Sequence, residues 1–201
     1  ARMLAAKDPD TGEPMSDEMI ADNLATFLFA GHETTAKALT WTLYVLARSP
    51  EWQIRVREEL DAVIGSGPVD AATIAKLPVT SRVLKEAMRL YPPAWAMGRE
   101  AAVDVELGPY RIPAGSHVFF SQWIIHRSPE FFPDPLRFDP SRHTDAAKAA
   151  RPRFAYFPFG GGSRQCIGES FAWMEGILAL ATIAQQWKLN LVPNQRIDVQ
   201  E

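Results

Sequence analysis

Apolar residues recur every three or four positions along the first quarter of the chain, which is the spacing of one face of an α-helix. The pattern starts after Ser16, with Asp17 and Glu18 in the first turn, and continues to Ala47. This face comprises Ile20, Leu24, Phe27, Leu28, Leu39, Leu43 and Leu46. The sequence therefore predicts one unusually long helix, roughly 46 Å at 1.5 Å per residue.

The middle of this helix contains residues that weaken helices. Positions 30–35 read Ala-Gly-His-Glu-Thr-Thr, and both glycine and β-branched threonine are poor helix formers. A strong helix with a weak centre is a local conflict of the kind that marks functional sites. Gly31 is where we expect the helix to kink or open a groove.

Further helices and a few short strands follow. Proline and glycine bound a second helix over 50–64 and a third over 79–91. Alternating residues predict short paired strands over 103–107 and 117–123, and prolines predict an irregular stretch over 129–158. A last helix is expected over 167–187. The predicted fold class is mainly α with a small antiparallel β region.

Composition excludes several kinds of protein. With 47% hydrophobic and 22% charged residues the chain is globular, and a net charge of -3 argues against a nucleic-acid partner. Its single cysteine, Cys166, permits no internal disulfide, which suits a reducing, cytoplasmic location. No run reaches the roughly 18 apolar residues of a membrane span, and the start has no apolar secretory core.

A glycine-rich loop precedes the last predicted helix and reads Phe-Gly-Gly-Gly-Ser-Arg-Gln-Cys-Ile-Gly over 159–168. Glycines let the backbone approach a flat ligand, and the start of a helix stabilises a thiolate at Cys166. Arg164 can pair with a carboxylate, and Phe159 can shield the sulfur from water. The loop is typical of a thiolate metal ligand beneath a planar group, although an inert buried cysteine explains the loop alone equally well.

Three other motifs fail on their spacing. A zinc-protease pattern starting at His32 needs a histidine where Ala36 stands, and a dinucleotide fingerprint needs glycine where Gln165 stands. Four histidines and one cysteine without short ligand spacing argue against structural zinc. A cysteine nucleophile using His117 or His126 as its base stays open as a weaker alternative.

Glu86 and Arg89 stand three residues apart on the third predicted helix. Such a pair is usually exposed and contributes about 0.2–0.5 kcal/mol. On a helical wheel Glu86 flanks the apolar face formed by Val83, Ala87 and Leu90. The pattern permits partial burial of the pair without deciding it.

Four motifs in this order resemble the cytochrome P450 family of haem-thiolate monooxygenases. Positions 30–35 resemble its oxygen-activating segment, Glu86-Ala87-Met88-Arg89 its E-x-x-R helix, and 138–143 (Phe-Asp-Pro-Ser-Arg-His) its meander motif. Positions 159–168 fit its cysteine loop in full. In the meander region, Ser141 stands where the family has glutamate and Ser128 where it has aspartate.

Members of the family are about twice as long as this chain. The resemblance, which spans about 16 to 192, is to the C-terminal half of such an enzyme, from its I-helix to its L-helix. It implies that 1–201 is the C-terminal haem-binding part of a single domain whose N-terminal half and final strands are absent.

The resemblance also implies residue roles. Cys166 is the expected metal ligand to haem b (iron protoporphyrin IX), and Thr34 and Glu33 are the alcohol–acid pair that delivers protons during oxygen activation beside Gly31. The other expected cofactor-binding residues are Phe159, Gly160, Arg164, Gly168, Arg99 and His126. A structural charge triad of Glu86, Arg89 and Arg142 is expected. The expected substrate pocket comprises Ala30, Ala94, Trp95, Ala96 and Met97.

The implied function is insertion of one atom of O2 into a small apolar substrate. Electrons are expected from a ferredoxin, a flavodoxin or a flavin reductase that docks on the cysteine side. One alternative is a haem-binding fragment without turnover. Another is a helical fragment that binds nothing until it meets a complementary N-terminal half.

Overall fold

A computed structural model describes residues 5–8, 10–194 and 197. Its helices are α1 (Asp17–Ala47), α2 (Pro50–Val63), α3 (Pro78–Leu90), α4 (Gln122–Ile125), α5 (Asp145–Ala149) and α6 (Glu169–Gln186). Its strands are β1 (Met97–Glu100), β2 (Val105–Leu107), β3 (Tyr110–Ile112) and β4 (His117–Phe120). The strands form two antiparallel pairs, β1 with β4 and β2 with β3.

Helix α1 has the predicted length. The Ser16 hydroxyl accepts a hydrogen bond from the Met19 N–H at 3.2 Å and caps its start. The helix is continuous through Gly31. Threonine hydroxyls near the weak centre bond within the helix, as where Thr34 donates to the Ala30 carbonyl at 2.6 Å, so they do not draw the backbone out of it.

The core lies where the second half of α1 meets α2, α3 and α6. Its buried members are Ala38, Leu46, Trp52, Val56, Leu60, Leu77, Val83, Leu84, Met88, Ile177, Leu180 and Ala181. Helices α3 and α6 approach closely at Gly176, where an added Cβ would lie 2.8 Å from Leu84 Cδ2. Helix α3 is therefore fixed on several sides and provides a firm base for a site.

The first half of α1 packs differently. Leu24, Phe27, Leu28 and Phe29 are all exposed, Phe29 by 76%. In the described structure, this half of the helix therefore carries an unpartnered apolar surface. Exposing such a row of large apolar side chains to water is unfavourable.

The strands differ from the predictions in two ways. The strand predicted over 117–123 ends at Phe120, because Ser121 caps α4 and accepts a hydrogen bond from the Ile124 N–H at 3.4 Å. The partner of β4 is β1, where Arg99 pairs with Val118. Residues 97–100 read Met-Gly-Arg-Glu and show no alternation, so local pattern did not reveal this strand.

The segment over 129–158 is irregular as predicted but contains α5 and two 3₁₀ turns, Pro140–His143 and Arg153–Ala155. The last helix begins at Glu169, two residues later than predicted, with Gly168 at its N-cap. Within the described residues, no helix combines the length and apolar character that a bilayer crossing needs.

Candidate functional site

The loop before α6 presents Cys166 with its side chain exposed. The Cys166 N–H donates to the Phe159 carbonyl at 3.0 Å, and the Gly160 N–H donates to the Phe157 carbonyl at 2.9 Å. An added Cβ on Gly168 would lie 3.8 Å from the Cys166 sulfur. Two backbone hydrogen bonds thus fix a loop that holds an exposed thiol just ahead of the N-terminus of α6.

The loop needs glycine at two positions because other side chains occupy the space. At Gly160 the backbone has φ +75°, and an added Cβ would lie 2.9 Å from Met97 Cε. At Gly161 an added Cβ would lie 2.6 Å from a ring carbon of Phe154. Gly162 also has φ +75° but faces open space. Met97, predicted to line a substrate pocket, therefore also supports the cysteine loop.

Phe159 anchors the same loop to the core. Its half-buried ring meets Trp173 of α6 edge to face, with centroids 5.2 Å apart. The Trp173 indole N–H donates to the Glu169 carboxylate at 3.2 Å. The loop is thereby attached to the first turns of α6.

Two of the predicted carboxylate-binding arginines keep their guanidinium groups available. Arg99 on β1 and Arg164 in the 3₁₀ turn Gly162–Arg164 are both exposed. Arg99 donates to the neighbouring Gly98 carbonyl at 2.8 Å, and no hydrogen bond of Arg164 is recorded in the described part of the chain. Each therefore retains donors for an anionic group.

His126, the third such candidate, lies in a different environment. Its ring is fully buried, and its Nε2 accepts a hydrogen bond from the Phe157 N–H at 2.9 Å. Burial, together with the charge of Arg89, lowers the pKa of His126 to about 3, so the ring is neutral. The structure therefore does not expose His126 to a cofactor carboxylate, because the ring is enclosed by core residues and its acceptor nitrogen is already engaged.

The predicted charge triad comes together at α3. Glu86 and Arg89 are fully buried, and the Arg89 Nε and Nη2 atoms donate to the two Glu86 oxygens at 2.8 and 2.9 Å. Arg142 is less tightly bound, with its Nε 3.5 Å from Glu86 Oε1. The pair that the helical wheel left undecided is a buried bidentate ion pair.

Two further partners of Glu86 were missed. The His143 Nε2 lies 2.9 Å from Glu86 Oε2, and the Asp139 N–H donates to Oε1 at 3.0 Å. Burial alone would raise the pKa of Glu86, but hydrogen bonds from His143 and Arg89 outweigh it and lower the pKa. Position 143 directly follows Arg142 in the meander, which was the only sequence signal for its role.

The predicted alcohol–acid pair lies on the exposed part of α1. The side chain of Thr34 is exposed, and its hydroxyl donates to the Ala30 carbonyl. The Glu33 carboxylate is 2.7 Å from the Lys37 Nζ, and the hydrogen bond and charge of that lysine lower the pKa of Glu33. An added Cβ on Gly31 would meet no atom within 4 Å, so the space beside the helix is open there.

The predicted substrate residues lie in two places. Ala30 is exposed on α1, and Ala94 and Trp95 are exposed after α3, whereas Ala96 and Met97 are half-buried. Residues 94–97 are held in place through the Trp95 carbonyl. This carbonyl accepts hydrogen bonds from the Ser121 hydroxyl at 2.8 Å and from the Trp123 N–H at 3.1 Å.

The cysteine-nucleophile alternative finds no base. His126 is buried as described, and His117 is exposed with Glu100 as its nearest anion at 3.9 Å. Neither makes a recorded hydrogen bond to the Cys166 sulfur. Among the described residues no three His, Cys, Asp or Glu side chains group together as a metal site.

The site fits a porphyrin with a thiolate ligand. The loop combines an exposed thiol with a backbone that carries no side chains at residues 160–162. Exposed guanidinium groups are available from Arg164 in the loop and from Arg99 on β1. A mainly helical fold that combines this loop with a buried E-x-x-R ion pair defines the haem-thiolate class. Residues 1–201 match the family described as Cytochrome P450, and the chain belongs to that family. The predicted family and fold class are confirmed.

Similar proteins cover nearly all of the chain. It is 43% identical over 195 residues to cyclooctatin synthase and 41% identical over 192 residues to cyclooctat-9-en-7-ol 5-monooxygenase, both from Streptomyces melanosporofaciens. These alignments cover 97% and 95% of the chain but 42% of each relative. A crystal structure of a cytochrome P450 (CYP102L1) superposes with TM-score 0.93 at 34% identity, over 99% of this chain and 46% of that one. The chain thus spans less than half the length of these proteins.

Proposed function

We propose that this chain forms the haem-thiolate part of a monooxygenase that inserts one atom of O2 into a small apolar substrate. The observation that carries the proposal is the Cys166 loop, in which two backbone hydrogen bonds and two space-limited glycines present an exposed thiol ahead of α6. In this view residues 1–201 form the C-terminal, haem-binding part of a single domain.

The proposed cofactor is haem b, held by the Cys166 sulfur as metal ligand. When bound, this group supplies the reductive activation of dioxygen, and a thiolate ligand favours cleavage of the O–O bond. The guanidinium groups of Arg99 and Arg164 are available to donate hydrogen bonds to its carboxylates. Residues 160–162 leave room for a flat ring because they carry no side chains.

Thr34 and Glu33 are the proposed proton-delivery residues. The Thr34 hydroxyl donates a hydrogen bond to the Ala30 carbonyl in the described geometry, and a rotation about χ1 would turn it toward another acceptor. The ion pair with Lys37 keeps the Glu33 side chain ionised, so its carboxylate accepts hydrogen bonds from solvent. The Thr34 hydroxyl and the Glu33 carboxylate form the proposed route by which protons pass from water to the open space beside Gly31.

The proposed substrate is a small apolar molecule bounded by Ala30 and by residues 94–97. These are mainly small or apolar side chains with open surface, and they offer no ionised group to a ligand. One relative is named for an unsaturated alcohol, cyclooctat-9-en-7-ol, which is compatible with such a surface.

The proposed electron donor docks on the cysteine side. A cavity of about 400 Å³ there is lined by four cations, Lys85, Lys148, Arg151 and Arg153, and by two carboxylates. A positive face steers and orients an acidic partner such as a ferredoxin, a flavodoxin or a flavin reductase. Lys148→Glu is expected to raise the KM for an acidic donor several-fold at low salt, whereas Lys188→Glu, at a different groove, is the matched control.

The proposal is tested by spectroscopy. Carbon monoxide added to the reduced protein should give the far-red-shifted Soret band of thiolate ligation, and Cys166→Ser should abolish that band while leaving the helical content unchanged. Absence of iron protoporphyrin from purified protein, or a band unaffected by Cys166→Ser, would overturn the assignment.

A second candidate is a haem-binding fragment without turnover, which the exposed apolar half of α1 favours. Leu24, Phe27, Leu28 and Phe29 need a partner surface, and the chain spans only 42% of the length of cyclooctatin synthase. Product formation with a reductase separates the two candidates. Activity that appears only after co-expression with a complementary N-terminal half supports the second.

A further inference from the structure

One buried histidine joins the ion pair on α3 to the cysteine loop. The Arg89 Nη1 donates to the His126 carbonyl at 2.7 Å. The ring of the same histidine accepts a hydrogen bond from the Phe157 N–H at 2.9 Å. His126 thus receives one bond from Arg89 on α3 and one from Phe157, which lies nine residues before Cys166.

Backbone hydrogen bonds continue from Phe157 to the thiol. The Gly160 N–H donates to the Phe157 carbonyl at 2.9 Å, and the Cys166 N–H donates to the Phe159 carbonyl at 3.0 Å. A single series of bonds therefore runs from Glu86 and Arg89 through the histidine to the residue that carries the sulfur. No other side chain among the described residues is recorded as accepting from the Phe157 N–H.

We propose that His126 is a positioning residue for the Cys166 loop, coupling the loop to the buried Glu86–Arg89 pair through its Nε2 acceptor. The role in cysteine ligation rests on the function proposed above, while the bond to Phe157 does not.

The chemistry of the ring suits this task. A backbone N–H can only donate, so Nε2 is the bare nitrogen and the proton lies on Nδ1, for which no partner is recorded. The ring is fully buried, packs 5.1 Å from the Tyr156 ring and meets Phe157 edge to face at 5.2 Å. These contacts hold the acceptor in one direction.

The His126 Nε2 atom stays unprotonated near neutral pH and therefore remains a hydrogen-bond acceptor. Burial first, then the positive charge of Arg89, lowers the pKa of His126 to about 3, and the charge of Arg127 acts in the same sense. Protonation of Nε2, which would abolish the bond, is thus suppressed near neutrality.

The experiment compares the acceptor with its isosteric replacements. In His126→Leu the Phe157 amide loses its partner, and its hydrogen exchange in cofactor-free protein should speed up by about ten- to a hundredfold. His126→Gln places an amide oxygen near the Nε2 position and should restore most of the protection. In reduced, carbon-monoxide-bound protein, His126→Leu should lose part of the thiolate band and His126→Gln should retain it.

Gln122→Leu is the matched control. Gln122 lies one turn earlier, is equally buried, and no hydrogen bond of its amide is recorded. Its replacement should leave Phe157 exchange and the thiolate band unchanged. Equal effects of His126→Leu and Gln122→Leu, or no recovery in His126→Gln, would overturn the proposal.

A measurement on the unaltered protein covers the case in which His126→Leu does not fold. The ring-nitrogen resonances should show a bare Nε2 and a protonated Nδ1, and the opposite tautomer would overturn the proposal. If the unaltered protein shows no thiolate band, the proposed function fails, while the exchange and tautomer results still decide the role of His126.

Discussion

The imidazole of His143 lies 2.9 Å from the Glu86 carboxylate, and the two side chains are 4% and 0% exposed. A carboxylate only accepts hydrogen bonds, so the neutral ring donates through Nε2 and leaves Nδ1 bare. The contact ties the 3₁₀ turn Pro140–His143 to α3 across 57 residues of sequence. It replaces part of the hydration that Glu86 loses on burial.

The burial of His143 and His126 predicts a pH dependence of stability. Burial lowers the pKa of His143, with its hydrogen bond to Glu86 opposing the change, and the pKa of His126 is lowered to about 3. When the pH falls below about 6.5, both histidines take up protons in the unfolded chain before they do so in the folded protein. The free energy of unfolding should then decrease by up to about 1.4 kcal/mol per pH unit for each histidine.

His143→Gln removes one of these two contributions. Its stability should fall less steeply between pH 6.5 and 5 than that of the unaltered protein in urea unfolding, because Gln carries no titrating group. The window stops at pH 5 because the pKa of Glu86 lies below 4.5, and its own contribution is lost only at lower pH. His117→Gln, at an exposed position, is the control. An unchanged slope in His143→Gln would contradict the assignment.

A second prediction concerns the buried ion pair. Glu86→Leu leaves the Arg89 charge enclosed without its carboxylate and should lower the free energy of unfolding by about 3–5 kcal/mol. Arg89→Met added to that variant should recover part of the loss, because the unpaired charge is gone. Both are measured by denaturant unfolding.

The control for that experiment is an exposed pair on α2. Arg57 and Asp61 lie 3.1 Å apart with both side chains about half exposed. Asp61→Ala should cost no more than about 1 kcal/mol. A loss in Glu86→Leu no larger than this would show that the buried pair contributes little to stability.

Helix α3 shows how far local pattern reaches. The helical wheel placed Glu86 at the border of the apolar face, and the structure buries it. The wheel gave no sign of Asp139 and His143, which lie 53 and 57 residues further along and supply two of its hydrogen bonds. Partners so distant in sequence are chosen by tertiary packing, which no local periodicity records.

The cysteine loop shows the same difference between what local pattern predicts and what tertiary packing decides. The motif identified Cys166, Gly160 and their neighbours by spacing and residue type. It did not reveal that Met97 fills the space beside Gly160, because Met97 belongs to β1, a strand without alternation. Similarly, His126 was assigned by resemblance to the cofactor, whereas its burial and its bond to Phe157 emerge only from the folded structure.

A third prediction separates backbone strain from crowding in this loop. Gly160 and Gly162 share φ +75°, but only an added Cβ at 160 meets another atom, Met97 Cε at 2.9 Å. Gly162→Ala should cost about 1–2 kcal/mol from the left-handed backbone alone. Gly160→Ala should cost more, and adding Met97→Ala should bring its cost back toward that of Gly162→Ala.

Thermal unfolding of the unaltered protein, Met97→Ala, Gly160→Ala and the double variant forms a double-mutant cycle for residues 97 and 160. A favourable coupling between the two substitutions is expected, since the smaller side chain at 97 removes the crowding. Additive effects, with Gly160→Ala no worse than Gly162→Ala, would show that the loop moves freely away from β1.

The last prediction concerns the proton route proposed for α1. Thr34→Ala removes the hydroxyl that donates to the Ala30 carbonyl and should divert electrons into hydrogen peroxide, lowering product formation by up to about a hundredfold while the thiolate band persists. Thr40→Ala is the matched control, because Thr40 makes the same bond one turn back, to Ala36 at 2.8 Å. Thr34→Ser should keep most of the coupling. If the ratio of peroxide to product is the same in Thr34→Ala, Thr40→Ala and the unaltered protein, the Thr34 hydroxyl serves the helix and not proton delivery.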